Sequence, residues 1–112
     1  PHTAEEKGKG LSGSAFGVVG LETAFAVMYT HFVKPGLITM DKLMDLMVFA
    51  PRKRFGIPLE DGDYTLWDLD AEITVDPETF LSKGRAPPFE GAQLYGRCMV
   101  TYKNGKPVYQ AR

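Results

Sequence analysis

Cysteine, histidine and tryptophan are scarce in this chain of 112 residues, which holds one Cys, two His and one Trp. A single cysteine, Cys98, excludes an intrachain disulfide framework. Its neighbours in GRCMVTY are largely apolar, so Cys98 reads as a small buried hydrophobe. A nucleophilic role has little behind it, because no His lies near it in sequence to lower its pKa. The expected compartment is reducing, and the expected localisation is cytoplasmic. No secretory leader pattern stands in the sequence, and no apolar run is long enough to span a bilayer, so no membrane partner is expected.

Charge of one sign is also missing. Thirteen basic and fourteen acidic residues leave a net charge of -1, which provides no electrostatic footprint for a nucleic acid. The one basic cluster, PRKRFG at 51–56, reads as the solvated end of a helix, where cations complement the dipole.

Catalytic constellations are equally sparse. His2 and His31 stand too far apart for a standard zinc pattern. His31 falls near the end of a helical stretch and suits a structural or dipole-complementing task, whereas His2 sits in a polar loop with no structural task visible. Asp61, Asp63, Asp68 and Asp70 flank or alternate along a strand, as solvated edges do, and do not read as a paired acid and base. GKGLSGSAFG lacks the spacing of a phosphate loop. What remains is a glycine-bearing loop with one His that leads into a helix, a loop type that presents backbone N–H groups well.

The rest of the composition is that of a globular protein, with 44% hydrophobic and 24% charged residues. The length is one domain's worth of chain or a piece of something larger, and a compact body of this size buries roughly two thirds of its unfolded surface. Residues 1–20 read as a loop whose apolar end, AFGVVG, argues for burial. Leu21, Phe25, Met28 and Phe32 then recur at helical spacing, and Lys34-Pro35-Gly36 stops the element. Thr39 reads as the N-cap of a second helix with Met40, Leu43, Leu46, Met47 and Ala50 on its buried face. Pro51 suits the first turn of a short further helix ending at Gly56.

Beyond GIPLEDGD the period falls to about two. YTLWDLDAEITV reads as two strand runs with a bend at LDAE, and DPETF as a turn or helical turn. LSKGRAPPFEGAQ is a Pro/Gly loop, and LYGRCMVTYKNGKPVYQ is a hairpin around Lys103-Asn104-Gly105-Lys106. Helices followed by strands, without internal repeats, give an α+β class.

Five segments, in order, resemble the C-terminal end of bacterial dihydroorotases of the amidohydrolase superfamily. PHTAEEK resembles the second half of D-H-A-P-H-T-x-x-E-K, and AFGVVGLETAF is similar to F-G-[IV]-x-G-x-E-T. APRKRFGI resembles the N-P-A-x-x-x-G helix that ends the barrel in many amidohydrolases. FLSKGRAPPFEG resembles S-K-[GS]-x-N-T-P-F-x-G, and VTYKNGKPVY the terminal hairpin. Two departures stand out: a contracted linker before DYTLWDL, and Ala86-Pro87-Pro88-Phe89 in place of N-T-P-F, which removes the Asn side chain from that loop.

The resemblance implies that the chain begins in the middle of a motif, with the family's metal-contacting, proton-shuttling Asp three residues before Pro1. It further implies the end of a (β/α)8 TIM barrel, its last loop and closing helices, over residues 1–56. Residues 57–112 would then be the C-terminal strands of the small amidohydrolase β-domain. His2 matches the His that binds the substrate carboxylate, and the backbone at Phe16 and Gly17 matches the loop that also holds the substrate. Zinc is the implied cofactor, its ligands upstream of this chain, and no metal ligand or catalytic residue is expected within it. The implied reaction interconverts N-carbamoyl-L-aspartate and dihydroorotate in de novo pyrimidine synthesis, and the piece alone would be inactive. Implied partners are that small-molecule substrate, the N-terminal part of the same enzyme, and a homodimer or an association with aspartate carbamoyltransferase. Two alternatives share the pattern: a hydantoinase, dihydropyrimidinase or allantoinase, and a non-catalytic homologue that serves aspartate carbamoyltransferase as a partner.

Overall fold

A computed structural model describes residues 20–81 and 89–111. The first helix, α1 (Ala24–Met28), runs on into a wide π-type turn over Tyr29–Val33, in which the Lys34 N–H donates to the Tyr29 carbonyl at 2.9 Å. Gly36, at φ 85°, ends it, and the Leu37 N–H reaches back to the Phe32 carbonyl at 2.9 Å. That is the capping geometry expected of Lys34-Pro35-Gly36.

Thr39 caps the second helix as its sequence suggests, its hydroxyl accepting from the Lys42 N–H at 3.1 Å. This helix, α2 (Met40–Met44), also widens, over Asp45–Phe49, and then continues as α3 (Ala50–Phe55). Pro51 stands in the first turn of α3, and Gly56, at φ 65°, closes its end.

Three antiparallel strands follow in the order β1 (Tyr64–Thr74), β2 (Gln93–Lys103) and β3 (Lys106–Gln110). The architecture is a small α+β piece. β1 is one strand where the sequence suggested two runs, and the expected bend at LDAE is a bulge. Asp68 pairs with Arg97 and Glu72 with Tyr95, so residues 69–71 all face Gly96. A single 3-10 turn, Pro77–Thr79, occupies DPETF. The β2–β3 turn has φ 53° at Asn104 and 75° at Gly105, the double positive φ that a tight Asn-Gly hairpin requires.

Packing is organised where α1 meets the sheet. The Phe25 ring stacks on Trp67, centroids 4.0 Å apart, and lies against Gly96, where an added Cβ would come within 3.4 Å of it. Ala26, Val75 and Leu94 form the adjoining buried cluster, flanked by Val27, Ile73, Phe80 and Ala92. The Thr30 hydroxyl accepts from the Tyr95 N–H at 2.8 Å and donates to the Tyr95 carbonyl at 3.2 Å, fixing the wide turn of α1 to β2. The Lys34 ammonium sits 4.3 Å from the centre of the Tyr95 ring.

The faces expected of the helices need correction. Leu21 precedes the helix and is 94% exposed, and Phe32 is 39% exposed. Phe25 and Ala26 carry the burial of α1 instead. On the second helix Leu43 is fully buried, whereas Leu46 is 46% exposed and Ala50 is exposed. The π-type turns explain part of this, because a wider turn takes the residues beyond it out of the 3.6-residue phase.

Phe25→Ala should therefore lower the unfolding free energy by about 3–5 kcal/mol, read as a fall in urea midpoint. Gly96→Ala should act in the same direction and more weakly, because Ala at a positive φ adds strain of order 1 kcal/mol.

Candidate functional site

The substrate-binding residues expected from the sequence, His2, Phe16 and Gly17, lie outside the described residues. The other expected positions can be placed. His31 is exposed in the wide turn of α1, its ring 6.3 Å from that of Phe89 and tilted by 31°. Cys98 is half-buried, not fully buried as its neighbours suggested, and its Sγ lies 3.6 Å from the Thr101 hydroxyl. No group of three or more His, Cys, Asp or Glu able to hold a metal forms among the described residues.

A cleft of about 370 Å³ does form between α3 and the hairpin, lined by Arg52, Asp63, Thr65, Thr101, Tyr102 and Lys103 together with Tyr64 and Val108. It corrects two readings. Arg52 was expected among solvated cations but is half-buried, its Nη1 donating to the Val48 carbonyl at 3.4 Å. Its Nε is buried and has no hydrogen-bond partner among the described residues. Asp63 was expected as a solvated edge, yet it clasps the hairpin. Lys103 Nζ donates to its Oδ2 at 2.6 Å and the Asn104 N–H to its Oδ1 at 2.9 Å. The Thr65 and Thr101 hydroxyls meet at 3.3 Å on a paired rung of the ladder.

The electrostatics of the cleft follow from those contacts. The Lys103 hydrogen bond, then the Asn104 N–H, hold the Asp63 carboxyl below its ordinary value of 3.8 against an opposing cost of burial, and the Lys103 and Arg52 charges add to the effect. Asp68 and Asp70 remain exposed as expected, with Asp68 Oδ1 accepting from the Asp70 N–H at 3.0 Å. The cleft gathers no nucleophile and base in contact. Its arrangement is that of a helix–hairpin joint.

A second feature is apolar. Phe32, Leu37, Leu46, Phe49, Phe55, Ile57 and Leu59 are all exposed along the helices and the segment that follows them. Large apolar side chains exposed in this number are the kind of surface that another protein surface covers.

Comparison with known proteins gives this architecture a context. No family model matches the chain. The L-hydantoinase (dihydropyrimidinase) of Arthrobacter aurescens superposes on 88% of the chain with a TM-score of 0.80 and 29% identity, using 24% of its own length. The α+β piece is thus similar in fold to one part of a cyclic-amide hydrolase of the amidohydrolase type.

Among curated proteins the likeness is to a particular enzyme. The dihydroorotases of Bacillus licheniformis and of a Geobacillus species are 49% and 43% identical over 98% of the chain. The chain spans about a quarter of the length of these relatives, 27% in each case. The stretch it matches is the C-terminal 27% of those dihydroorotases, the likeness that its motifs suggested. Among the described residues, no helix is long and apolar enough to cross a membrane.

Two outcomes follow. The 112 residues produced alone should self-associate or bind a hydrophobic dye through the exposed Phe32, Leu46 and Phe49 region; a monodisperse, dye-negative monomer in sedimentation would contradict this. Asp63, with its pKa depressed in the fold, stabilises the hairpin above the unfolded value near 3.8 and loses that contribution as pH falls through the folded value. Asp63→Asn should therefore flatten the acid end of the stability–pH curve while leaving the Thr65–Thr101 rung in place.

Proposed function

We propose that this chain is the C-terminal portion of a zinc-dependent dihydroorotase. The enzyme interconverts N-carbamoyl-L-aspartate and dihydroorotate in de novo pyrimidine synthesis. The observation that carries the reading is the level of identity: 43–49% to dihydroorotases over almost all of the chain, against 29% to the L-hydantoinase. In this reading residues 1–56 complete a (β/α)8 barrel with its last loop and closing helices, and residues 57–112 are the C-terminal share of the small β-domain. His2 donates to the substrate carboxylate, and the amides at Phe16 and Gly17 hold the same anionic ring. A charge-assisted bond of that kind is about twice as strong as a neutral one, which suits a site for an anionic substrate.

Zinc, with ligands outside this chain, belongs to the parent enzyme. The chain alone is inactive because the proton-shuttling Asp is also outside it. The exposed apolar helices pack against the N-terminal part of the same enzyme, and further association, as a homodimer or with aspartate carbamoyltransferase, belongs to the complete cytoplasmic protein. A hydantoinase, dihydropyrimidinase or allantoinase activity is the alternative that the L-hydantoinase likeness favours.

The complete zinc-loaded protein should turn over dihydroorotate and N-carbamoyl-aspartate in preference to hydantoin or dihydrouracil. His2→Ala should lower kcat/KM for dihydroorotate by about 10- to 100-fold, the loss of one hydrogen bond to a charged group, with zinc content unchanged. Faster turnover of hydantoin would move the assignment to the alternative. No turnover at full zinc loading would leave only a non-catalytic partner of aspartate carbamoyltransferase.

A further inference from the structure

Asn-Gly is the dipeptide most prone to intramolecular deamidation, because glycine hinders the approach of its own amide nitrogen least, and Asn is among the thermolabile residues of proteins. Asn104-Gly105 places that dipeptide at the exposed tip of the hairpin. The chemistry balances with water alone. The Gly105 nitrogen, deprotonated, attacks Cγ of Asn104; a C–N bond forms, the Cγ–Nδ2 bond breaks, and ammonia leaves with the proton supplied through solvent. Water then opens the succinimide at either carbonyl, leaving aspartate or isoaspartate at position 104.

The attacking nitrogen is held in this fold. The Gly105 N–H donates to the Gly62 carbonyl at 2.9 Å. The next amide back, that of Asn104, donates to Asp63 Oδ1 at 2.9 Å, and Lys103 Nζ donates to Asp63 Oδ2 at 2.6 Å. Three successive residues of the turn are thereby tied to the two-residue segment 62–63. The contact is also close: a Cβ at Gly62 would stand 2.7 Å from the Gly105 nitrogen and 3.0 Å from Asn104 Cα and its carbonyl carbon. Only glycine at 62 lets the two backbones meet. A hydrogen-bonded N–H is withheld from base, and the Asp63 carboxylate beside it disfavours an amide anion.

We infer that Asn104 is a latent deamidation site, kept slow by the clasp that the Gly62 carbonyl and the Asp63 carboxylate place on the turn. Reaction then proceeds from the fraction of molecules in which the clasp is open, so its rate reports that local equilibrium. The product weakens the clasp further. Aspartate at 104 sets a second negative charge near Asp63, and isoaspartate lengthens the backbone inside a turn whose register is fixed by the Lys103–Lys106 pair.

The test is isoaspartate and aspartate formation at position 104 by peptide mapping of the purified protein at mildly alkaline pH. A synthetic peptide of residues 100–110 is the unclasped reference. The folded protein should react about tenfold or more slowly than the peptide, a ratio that corresponds to about 1.4 kcal/mol of local closure. Gly62→Ala should remove most of that protection, Asp63→Asn part of it, and Thr65→Val, which spares the clasp, none. Circular dichroism establishes that each variant is folded, and if Gly62→Ala is not, Asp63→Asn decides. A wild-type rate equal to that of the peptide would overturn the proposal. So would a folded Gly62→Ala or Asp63→Asn protein as slow as wild type.

Discussion

The rest of the structure depends on the seat of Phe25 against Gly96 and Trp67. An aromatic ring on a helix can lie this close to a strand only where the strand has no side chain beneath it. Gly96, at φ 104°, supplies that gap and a backbone conformation that other residues rarely adopt. The bulge opposite Gly96 is the other half of the arrangement, since residues 69–71 take up the slack while Trp67 keeps its place under the ring. One turn later, the Thr30 hydroxyl satisfies both backbone groups of Tyr95. The helix thus serves as a partner for part of the β2 edge that β3, paired from Val100 onwards, does not cover.

Elements set by local chemistry were legible in the sequence. The stop at Lys34-Pro35-Gly36, the Thr39 cap, the end at Gly56 and the Asn104-Gly105 hairpin each follow from residues within one turn of each other. Burial was less legible, because periodicity marks which residues are apolar but not where their partner lies. Leu21 and Phe32 fit the helical spacing of Phe25 and Met28, yet the helix starts after the first and the π-type turn carries the second away from the sheet. The strand at 64–74 alternates without a break from end to end, and what the sequence could not show is that its register against β2 shifts between Asp68 and Glu72.

The candidate site divides in the same way. His2, Phe16 and Gly17 were singled out only through a motif resemblance, and they lie outside the described residues. Asp63 was passed over for a physical reason. Its partners, Lys103 and Asn104, lie 40 and 41 residues along the chain, and no local pattern announces such a pair. The nearest signal was Gly62 beside it, a glycine ahead of a strand, which marks a close backbone approach as often as a flexible turn.

The thin core bears on how substitutions in this chain would act in the complete enzyme. Among the described residues only Phe25, Ala26, Leu43, Val75 and Leu94 are buried hydrophobics, while Phe32, Leu37, Leu46 and Phe49 stay exposed. If the remaining three quarters of a dihydroorotase cover those side chains, part of the stability of this portion comes from docking, because whatever binds the native form alone stabilises it. Exchanges on the exposed helix face would then change activity through assembly, without touching substrate. Exchanges at Phe25 or Gly96 would act earlier, on whether the helices and the hairpin sheet form one body at all. The helix itself is held to the sheet by the seat of Phe25 on Gly96, so that one contact decides how α1 stands against β2.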